Sequence, residues 1–284
     1  MSESILHNES TIRLSFFLGI LIAMALWEIA APRRRLEQSK LRRWLGNLGI
    51  VVVNTVVMRL TFPVLAIGAS VWAQQLGWGL FNKVTLPGWL EVAAAVVLLD
   101  MAVYWQHRLF HIIPLFWRLH RMHHADADFD VTTALRFHPL EITLSMIIKL
   151  GAVIILGPAA LAVLIFEILL NGTAMFNHGN ARLPLTLDRW LRLLVVTPDM
   201  HRVHHSVAGT EYNSNFGFNL PWWDRLFGSY RDQPGLGHEG MTIGLSAYQG
   251  GICANLLWML VLPFRPLNPP PPPPLQQEDE DDQS

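Results

Sequence analysis

Three short patterns stand apart from the rest of this sequence: His107-Arg-Leu-Phe-His111, His120-Arg-Met-His123-His124 and His201-Arg-Val-His204-His205. On an α-helix, residues at i, i+3 and i+4 share a face. At about 100° per residue, each pattern gathers its imidazoles within an arc of roughly 100°. The helix starts are marked as well. Pro114 suits the first helical position ahead of the second pattern, and Thr197-Pro198-Asp199 supplies an N-cap, a first-turn proline and a first-turn acid ahead of the third. Two more histidines join by position: His138 in Arg136-Phe-His-Pro-Leu-Glu141 and His178 in Phe176-Asn-His-Gly-Asn180. At His138 an N-cap role before Pro139 competes with a ligand role. The remaining two of the 12 histidines, His7 and His238, are not expected to bind metal.

A lone histidine is ordinarily a hydrogen-bonded structural residue. A field of ten is different, because each desolvated imidazole without a partner costs about 1–3 kcal/mol. Metal binding answers that cost. Structural zinc takes four ligands and catalytic zinc three, so ten imidazoles exceed one zinc site. The single cysteine, Cys253, excludes an internal disulfide and any thiolate site built by this chain alone. Neutral imidazole suits iron, copper, nickel and zinc. A two-metal centre accommodates these donors and leaves positions for oxygen. Asp100, Glu141, Asp199 and Asp224 are candidates to orient ligand rings from behind, with an ordinary ion pair to a neighbouring arginine as the alternative for each.

The elements that must position these residues are membrane helices. Apolar residues make up 51% of the 284 and charged residues only 15%, against roughly 25% in ordinary soluble domains. That balance excludes a disordered chain, a coiled coil and a nucleic-acid binder. Residues 14–31 are apolar for about the 20 residues that a bilayer-crossing helix needs, and they read as a retained helix, not a cleaved signal. A second apolar stretch covers 45–73, broken by Arg59 and Pro63, and a third covers 89–105. Two shorter runs, 142–156 and 159–176, flank Gly157-Pro158, the punctuation of a tight reversal. They form a hairpin that either spans or dips in and returns.

Six cations lie between Arg33 and Arg43, whereas the 74–88 connection contains only Lys83. Cytoplasmic loops carry the excess of Lys and Arg, so the 32–44 loop is expected in the cytoplasm. All ten clustered histidines then fall on that same side, at the inner membrane if the chain is bacterial. The expected organisation is an all-α polytopic bundle of about four transmembrane or re-entrant helices, capped by a helical di-metal domain. In order it comprises a polar N-terminus (1–13), transmembrane helices (14–106), a catalytic domain containing the hairpin (107–245), a short apolar segment interfacial or packed on that domain (246–267), and a proline-rich acidic tail (268–284).

The order H-x3-H, H-x2-HH, H-x2-HH resembles the fatty acid hydroxylase / sterol desaturase superfamily of integral membrane di-iron enzymes. Supporting words are RFHPLE at 136–141, NHGN at 177–180, TPDMHRVHHS at 197–206 and WWDRLFGSY at 222–230. The resemblance covers about residues 90–232. It implies two iron ions, dioxygen as co-substrate and a lipid or sterol C–H bond as target, hydroxylated or desaturated. It carries the ligand role to His107, His111, His120, His123, His124, His201, His204 and His205, and extends it to His178 and His138. Lacking a fused electron-transfer domain, the chain would draw electrons from a separate ferredoxin or cytochrome, with Arg118, Arg121 and Arg202 available for docking. Trp105, Phe110, Trp117, Phe137 and Trp222 are candidates to wall a substrate tunnel.

The rival reading from another class is a histidine-rich membrane metal-binding or transport protein without oxygenase activity. It would place ligands or acids near the bilayer midplane. Here the histidines gather at one surface instead. A one-metal hydrolase would leave most of them unexplained.

Overall fold

The computed structural model describes residues 2–266. Among them the chain is helical, and strand pairing is limited to isolated bridges such as Pro32 with Ala181 and Ser206 with Ile243. Helix α1 (Glu9–Ala30) carries the first apolar run. Helix α2 (Lys40–Thr61) is capped by Ser39, whose Oγ accepts from Arg42 N, and it stops before Phe62-Pro63, where proline disfavours helical geometry in the preceding residue. A short helix α3 (Ala66–Gln75) follows. The second apolar stretch is therefore a long helix, a break and a short helix.

Helix α4 (Gly88–Ile112) is followed after one residue by α5 (Pro114–His124), with Pro114 at its start. The hairpin is α6 (Pro139–Leu156) and α7 (Ala160–Asn177). Gly157 caps α6 in the left-handed conformation, φ +60°, where a side chain would be strained. Each hairpin helix has 18 residues, about 27 Å at 1.5 Å per residue. They outrun the apolar runs because Pro139-Leu140-Glu141 opens one and Phe176-Asn177 closes the other. Five segments are long and apolar enough to cross a bilayer: Glu9–Ala30, Lys40–Asn82, Gly88–Ile112, Pro139–Leu156 and Ala160–Asn177. That is one more than the sequence alone suggested.

Leu14, Leu18, Ile22, Leu26 and Ile29 of α1 face outward, as lipid-facing residues do. Inside, Ala66 and Ala69 of α3 pack with Leu99, Val153, Val163 and Phe166. Small residues permit this close approach of helices in a membrane. The short apolar segment packs on the histidine-bearing cap. Cys253, with Trp258 and Met259 of helix α9 (Leu256–Val261) and Leu262, meets Ile50, Met122 and Ala125. The expectation for 268–284 lies outside the described residues.

The cations of the 33–43 stretch do more than bias orientation. Arg33 Nε donates to Asp199 at 3.1 Å, and Arg34 Nη1 donates to the Met241 carbonyl at 2.8 Å. Arg43, 1% exposed, meets Asp126 with two bonds of 2.8 Å and Asp130 with one of 2.5 Å. Glu28, near the end of α1, accepts from Val131 N at 2.6 Å and Asn180 N at 2.8 Å. The first two membrane helices are thus bolted to the cap through buried charge.

Candidate metal centre

The first histidine pattern ends α4, the second ends α5, and the third fills helix α8 (Pro198–His204), which Thr197 caps through its Oγ and Met200 N. His178 caps the C-terminus of α7. These four helix ends converge and sort nine imidazoles into two groups. His107, His111, His120, His124 and His204 form one; His123, His178, His201 and His205 form the other. Within each group the nearest ring nitrogens all lie within 4.8 Å of one another. All nine are buried except His111, which is partly exposed.

The two five-residue patterns are used in opposite senses. In the second, positions i and i+4 (His120, His124) serve the five-membered group and i+3 (His123) serves the other. In the third, i and i+4 (His201, His205) serve the four-membered group and i+3 (His204) crosses over. Adjacent histidines are about 100° apart on a helix, which lets each His-His pair face two groups at once.

Four rings are fixed from behind. Nδ1 of His107 donates to the Phe216 carbonyl at 2.7 Å, that of His204 to Ser214 at 2.7 Å and that of His178 to Ala174 at 2.8 Å. Nδ1 of His120 donates to Glu141 Oε1 at 2.6 Å. A carbonyl can only accept, so each Nδ1 bonded to one carries the proton and leaves its Nε2 lone pair free. Those Nε2 atoms crowd together. His107 and His120 approach to 3.1 Å, as do His178 with His123 and His201 with His178. Two nitrogens bound at about 2.1 Å to adjacent positions of one ion stand about 3.0 Å apart. Both ring nitrogens of His111, His124 and His205 are buried without a hydrogen-bond partner, as is Nε2 of His204. Clustered lone pairs and orphaned nitrogens are the donor set a pair of imidazole-binding metal ions requires, and the residues fit such a centre.

Electrostatics agree. Burial pushes His120 and His178 down to about 3, and it holds His123, His124, His201, His204 and His205 well below the usual imidazole value. Neutral rings are the form that binds metal. The folded pKa values lie below the unfolded value near 6.5, so the unfolded chain takes up more protons, and stability falls as pH drops from about 6.5 towards 3. For metal-free protein we expect the Tm to fall steeply between pH 7 and pH 5, whereas metal-loaded protein holds its Tm to lower pH. A flat Tm across that interval in the metal-free form contradicts this account.

His138 stands apart from both groups. Its Nδ1 accepts from Leu140 N at 3.2 Å, capping α6, and its Nε2 donates to the Leu260 carbonyl at 3.2 Å. The proline that follows selects the cap, and the ring has no nitrogen left for metal. Of the four acids, Glu141 alone bonds one of these rings. Asp100 accepts from Trp223 Nε1, Asn219 N and Leu220 N. Asp199 pairs with Arg33 and Arg202. Asp224 accepts from Phe216 N at 2.7 Å and Gly217 N at 2.9 Å, so it holds the loop whose carbonyls hold His107 and His204. We expect Glu141→Gln to weaken metal binding by roughly 10–100-fold, measured by competition with a chromogenic chelator. Unchanged affinity would detach Glu141 from the centre.

The 214–218 loop was not anticipated. Asn215 adopts φ +52°, which asparagine tolerates, and its amide bonds the carbonyls of Met200 and Arg231. The signal was present in the Asn-Phe-Gly-Phe-Asn run, where chain reversal residues interrupt aromatic ones. Phe137 stacks on His123 at 4.6 Å and Phe129 on His178 at 5.6 Å.

A cavity of about 720 Å³ opens beneath the histidines and reaches into the bundle. His107, His120, Glu141, Phe110, Phe137 and Phe218 line its upper end. Three of the five expected tunnel aromatics lie elsewhere. Trp105 packs against Tyr104 and Phe227, Trp117 stacks on Tyr212 beside His111 and His124, and Trp222, 43% exposed, donates to the Leu193 carbonyl. Arg121 and Arg202 are buried and bonded internally, so neither offers a docking charge. Arg118 bonds the Arg265 carbonyl at 3.4 Å.

A helical membrane bundle that closes buried imidazoles into two groups defines a class, the histidine-rich, metal-dependent, multi-pass membrane proteins. Residues 92–229 match the fatty acid hydroxylase family model, in line with the resemblance that the histidine patterns carry. It is 28% identical to alkylglycerol monooxygenase of Homo sapiens over 152 residues, covering 52% of this chain and 31% of the relative. It is 28% identical to ornithine lipid hydroxylase OlsE of Rhizobium tropici over 175 residues, 61% of this chain and 50% of the relative. It is 26% identical to methylsterol monooxygenase 2-2 of Arabidopsis thaliana over 155 residues, 53% of this chain and 58% of the relative. The alignments thus span from about a third to three fifths of these relatives' own length. No solved structure matches the chain.

Proposed function

We propose that this chain is a membrane-bound, non-haem di-iron oxygenase that hydroxylates, or alternatively desaturates, an unactivated C–H bond of a lipid or sterol. Dioxygen is the co-substrate, and the electrons come from a separate ferredoxin- or cytochrome-type protein. The site faces the cytoplasm, by the cation count of the flanking loops. The observation that carries this reading is the largely apolar cavity that reaches His107 and His120 of the five-membered group, with His123 of the other group stacked on Phe137 of its wall.

Irons held by these residues would supply the oxidation of carbon. The protein's own part is placement and exclusion of water. The Phe216, Ser214 and Ala174 carbonyls and Glu141 lock four rings in one tautomer. Phe110, Phe137 and Phe218 give the cavity an apolar lining beside His107 and His120, which suits a hydrocarbon segment. Hydroxylation is the preferred outcome. The names of the relatives, a monooxygenase of alkylglycerol and a hydroxylase of ornithine lipid, support a lipid with a polar head.

The test is metal analysis with Mössbauer spectroscopy on full-length protein purified in mild detergent from cells grown with enriched iron, followed by lipid profiling. About two irons per chain with a coupled diferric signal, and an oxidised lipid dependent on the intact chain, are expected. Absence of bound metal after anaerobic iron reconstitution overturns the reading.

A further inference from the structure

The cavity has a second end that the histidines do not use. Lys149 lies eight residues beyond Glu141 on α6, which is about 12 Å of helix rise. The cavity is lined by three cations from three helices, Arg13 of α1, Arg59 of α2 and Lys149 of α6, of which Arg13 and Lys149 meet at one carboxylate. Between the two ends the wall is mostly apolar, with Met58, Leu99, Val103, Met146 and Phe166, and Gln106 donates to Ser145 at 2.9 Å within it. Arg13 and Lys149 both approach Glu167, at 3.2 Å and 2.9 Å, and that carboxylate is 2% exposed. Glu167 stands behind the two cations and is not part of this cavity's wall. Arg59 has no hydrogen-bonding or ionic partner among the described residues. Arg13 also meets Glu9 at 3.5 Å, so two carboxylates answer three positive charges and Arg59 is the one left over.

Topology does not account for them. They sit towards the end of the bundle that carries the 74–88 connection, where the sequence places few cations, and excess Lys and Arg belong to the opposite side. A single arginine near a helix end can snorkel to bulk lipid. Three lining one cavity form a receptor for negative charge. Planar arginine donors suit carboxylate and phosphate, and lysine adds a point charge.

We propose that the cavity binds a lipid with an anionic head, a carboxylate or phosphate, held by Arg59, Lys149 and Arg13, with its chain running along the apolar wall to His107 and His120. This deepens the oxygenase reading, on which it rests for the fate of the chain. The carbon presented at the histidines then lies roughly 12 Å from the head, a position set by the protein and not by the chain's end.

The experiment is displacement of 11-(dansylamino)undecanoate from full-length protein in dodecyl maltoside, with hexadecyl phosphate, hexadecanoate, hexadecanol and inorganic phosphate as competitors. The two anionic amphiphiles are expected to compete at roughly tenfold lower concentration than hexadecanol. Arg59→Gln should remove most of that preference while leaving the Tm unchanged, because Arg59 bonds nothing among the described residues, and Arg59→Lys should retain part of it. Lys149→Gln serves as a second variant, its folding checked by its Tm. Equal competition by hexadecanol, or an Arg59→Gln variant with undiminished preference, overturns the proposal. So does displacement by inorganic phosphate as effective as by hexadecyl phosphate, which would make the cations a free-anion site. Binding is read without turnover, so charge preference with no lipid oxidised sinks the oxygenase reading alone. Oxidation without charge preference sinks this proposal alone.

Discussion

Alanine at His123 is expected to empty one metal position and spare the other, and alanine at the adjacent His124 to do the reverse. The two imidazoles are consecutive in sequence yet belong to different groups, His123 with His178, His201 and His205, and His124 with His107, His111, His120 and His204. Each variant should therefore fall from about two metal ions per chain to about one, with the survivor differing between them. Oxidation that needs both ions should drop by more than the roughly 10–100-fold typical of losing an outer hydrogen-bond partner, and at least 10³-fold is expected. His204→Ala should resemble His124→Ala, and His205→Ala should resemble His123→Ala, because the third pattern crosses over in the opposite sense. Metal analysis with iron-edge spectroscopy checks the assignment. Complete loss of both ions in every variant would show that the two groups act as one site.

The second large effect concerns stability. Arg43→Met leaves Asp126 and Asp130 buried without their cation, and removing one partner of a buried pair costs about 3–5 kcal/mol. Burial alone would push the Asp126 carboxyl up, but the Arg43 charge outweighs it and holds the group down at about 2. Asp126 is two residues beyond His124, and Thr133 Oγ1 also donates to it at 2.8 Å. The loss therefore reaches the second histidine pattern, and metal retention should weaken along with folding. Thermal unfolding in detergent should show a Tm lowered by many degrees, and the double variant Arg43→Met/Asp126→Asn should recover part of it. A Tm within a degree of the parent would mean that the pair is solvated and not structural.

What could be read before folding had a common physical origin. Amphipathic and apolar periodicity is local, so the helices that carry His107 to His124 and His201 to His205 announced themselves, as did the reversal at Gly157-Pro158. Helix geometry alone places each pattern's imidazoles on one face. A cap is also local, and Pro139 told in advance which role His138 would compete for. In the structure His138 takes the cap.

The partners that complete the arrangement are far away in sequence. Glu28 reaches Asn180 across 152 residues, Arg33 reaches Asp199 across 166, and His107 finds its acceptor carbonyl at Phe216 across 109. A backbone carbonyl has no residue signature, so no pattern could have named Ser214 or Phe216 as groups that orient imidazoles, whereas Ala174 lies one helical turn before His178. Nor could the sequence rank the four acids, because Asp100, Glu141, Asp199 and Asp224 differ only in which donor the fold brings to each. Which aromatic meets the cavity depends on how distant elements pack, which separated Phe110 and Phe137 from Trp105, Trp117 and Trp222. Residue types and their helical spacing determined that this chain is a membrane protein able to present clustered imidazoles. The division into two groups, the orienting contacts and the cavity with cations at its far end arise only when distant helix ends meet. They depend on packing in three dimensions, which spacing along the chain does not encode.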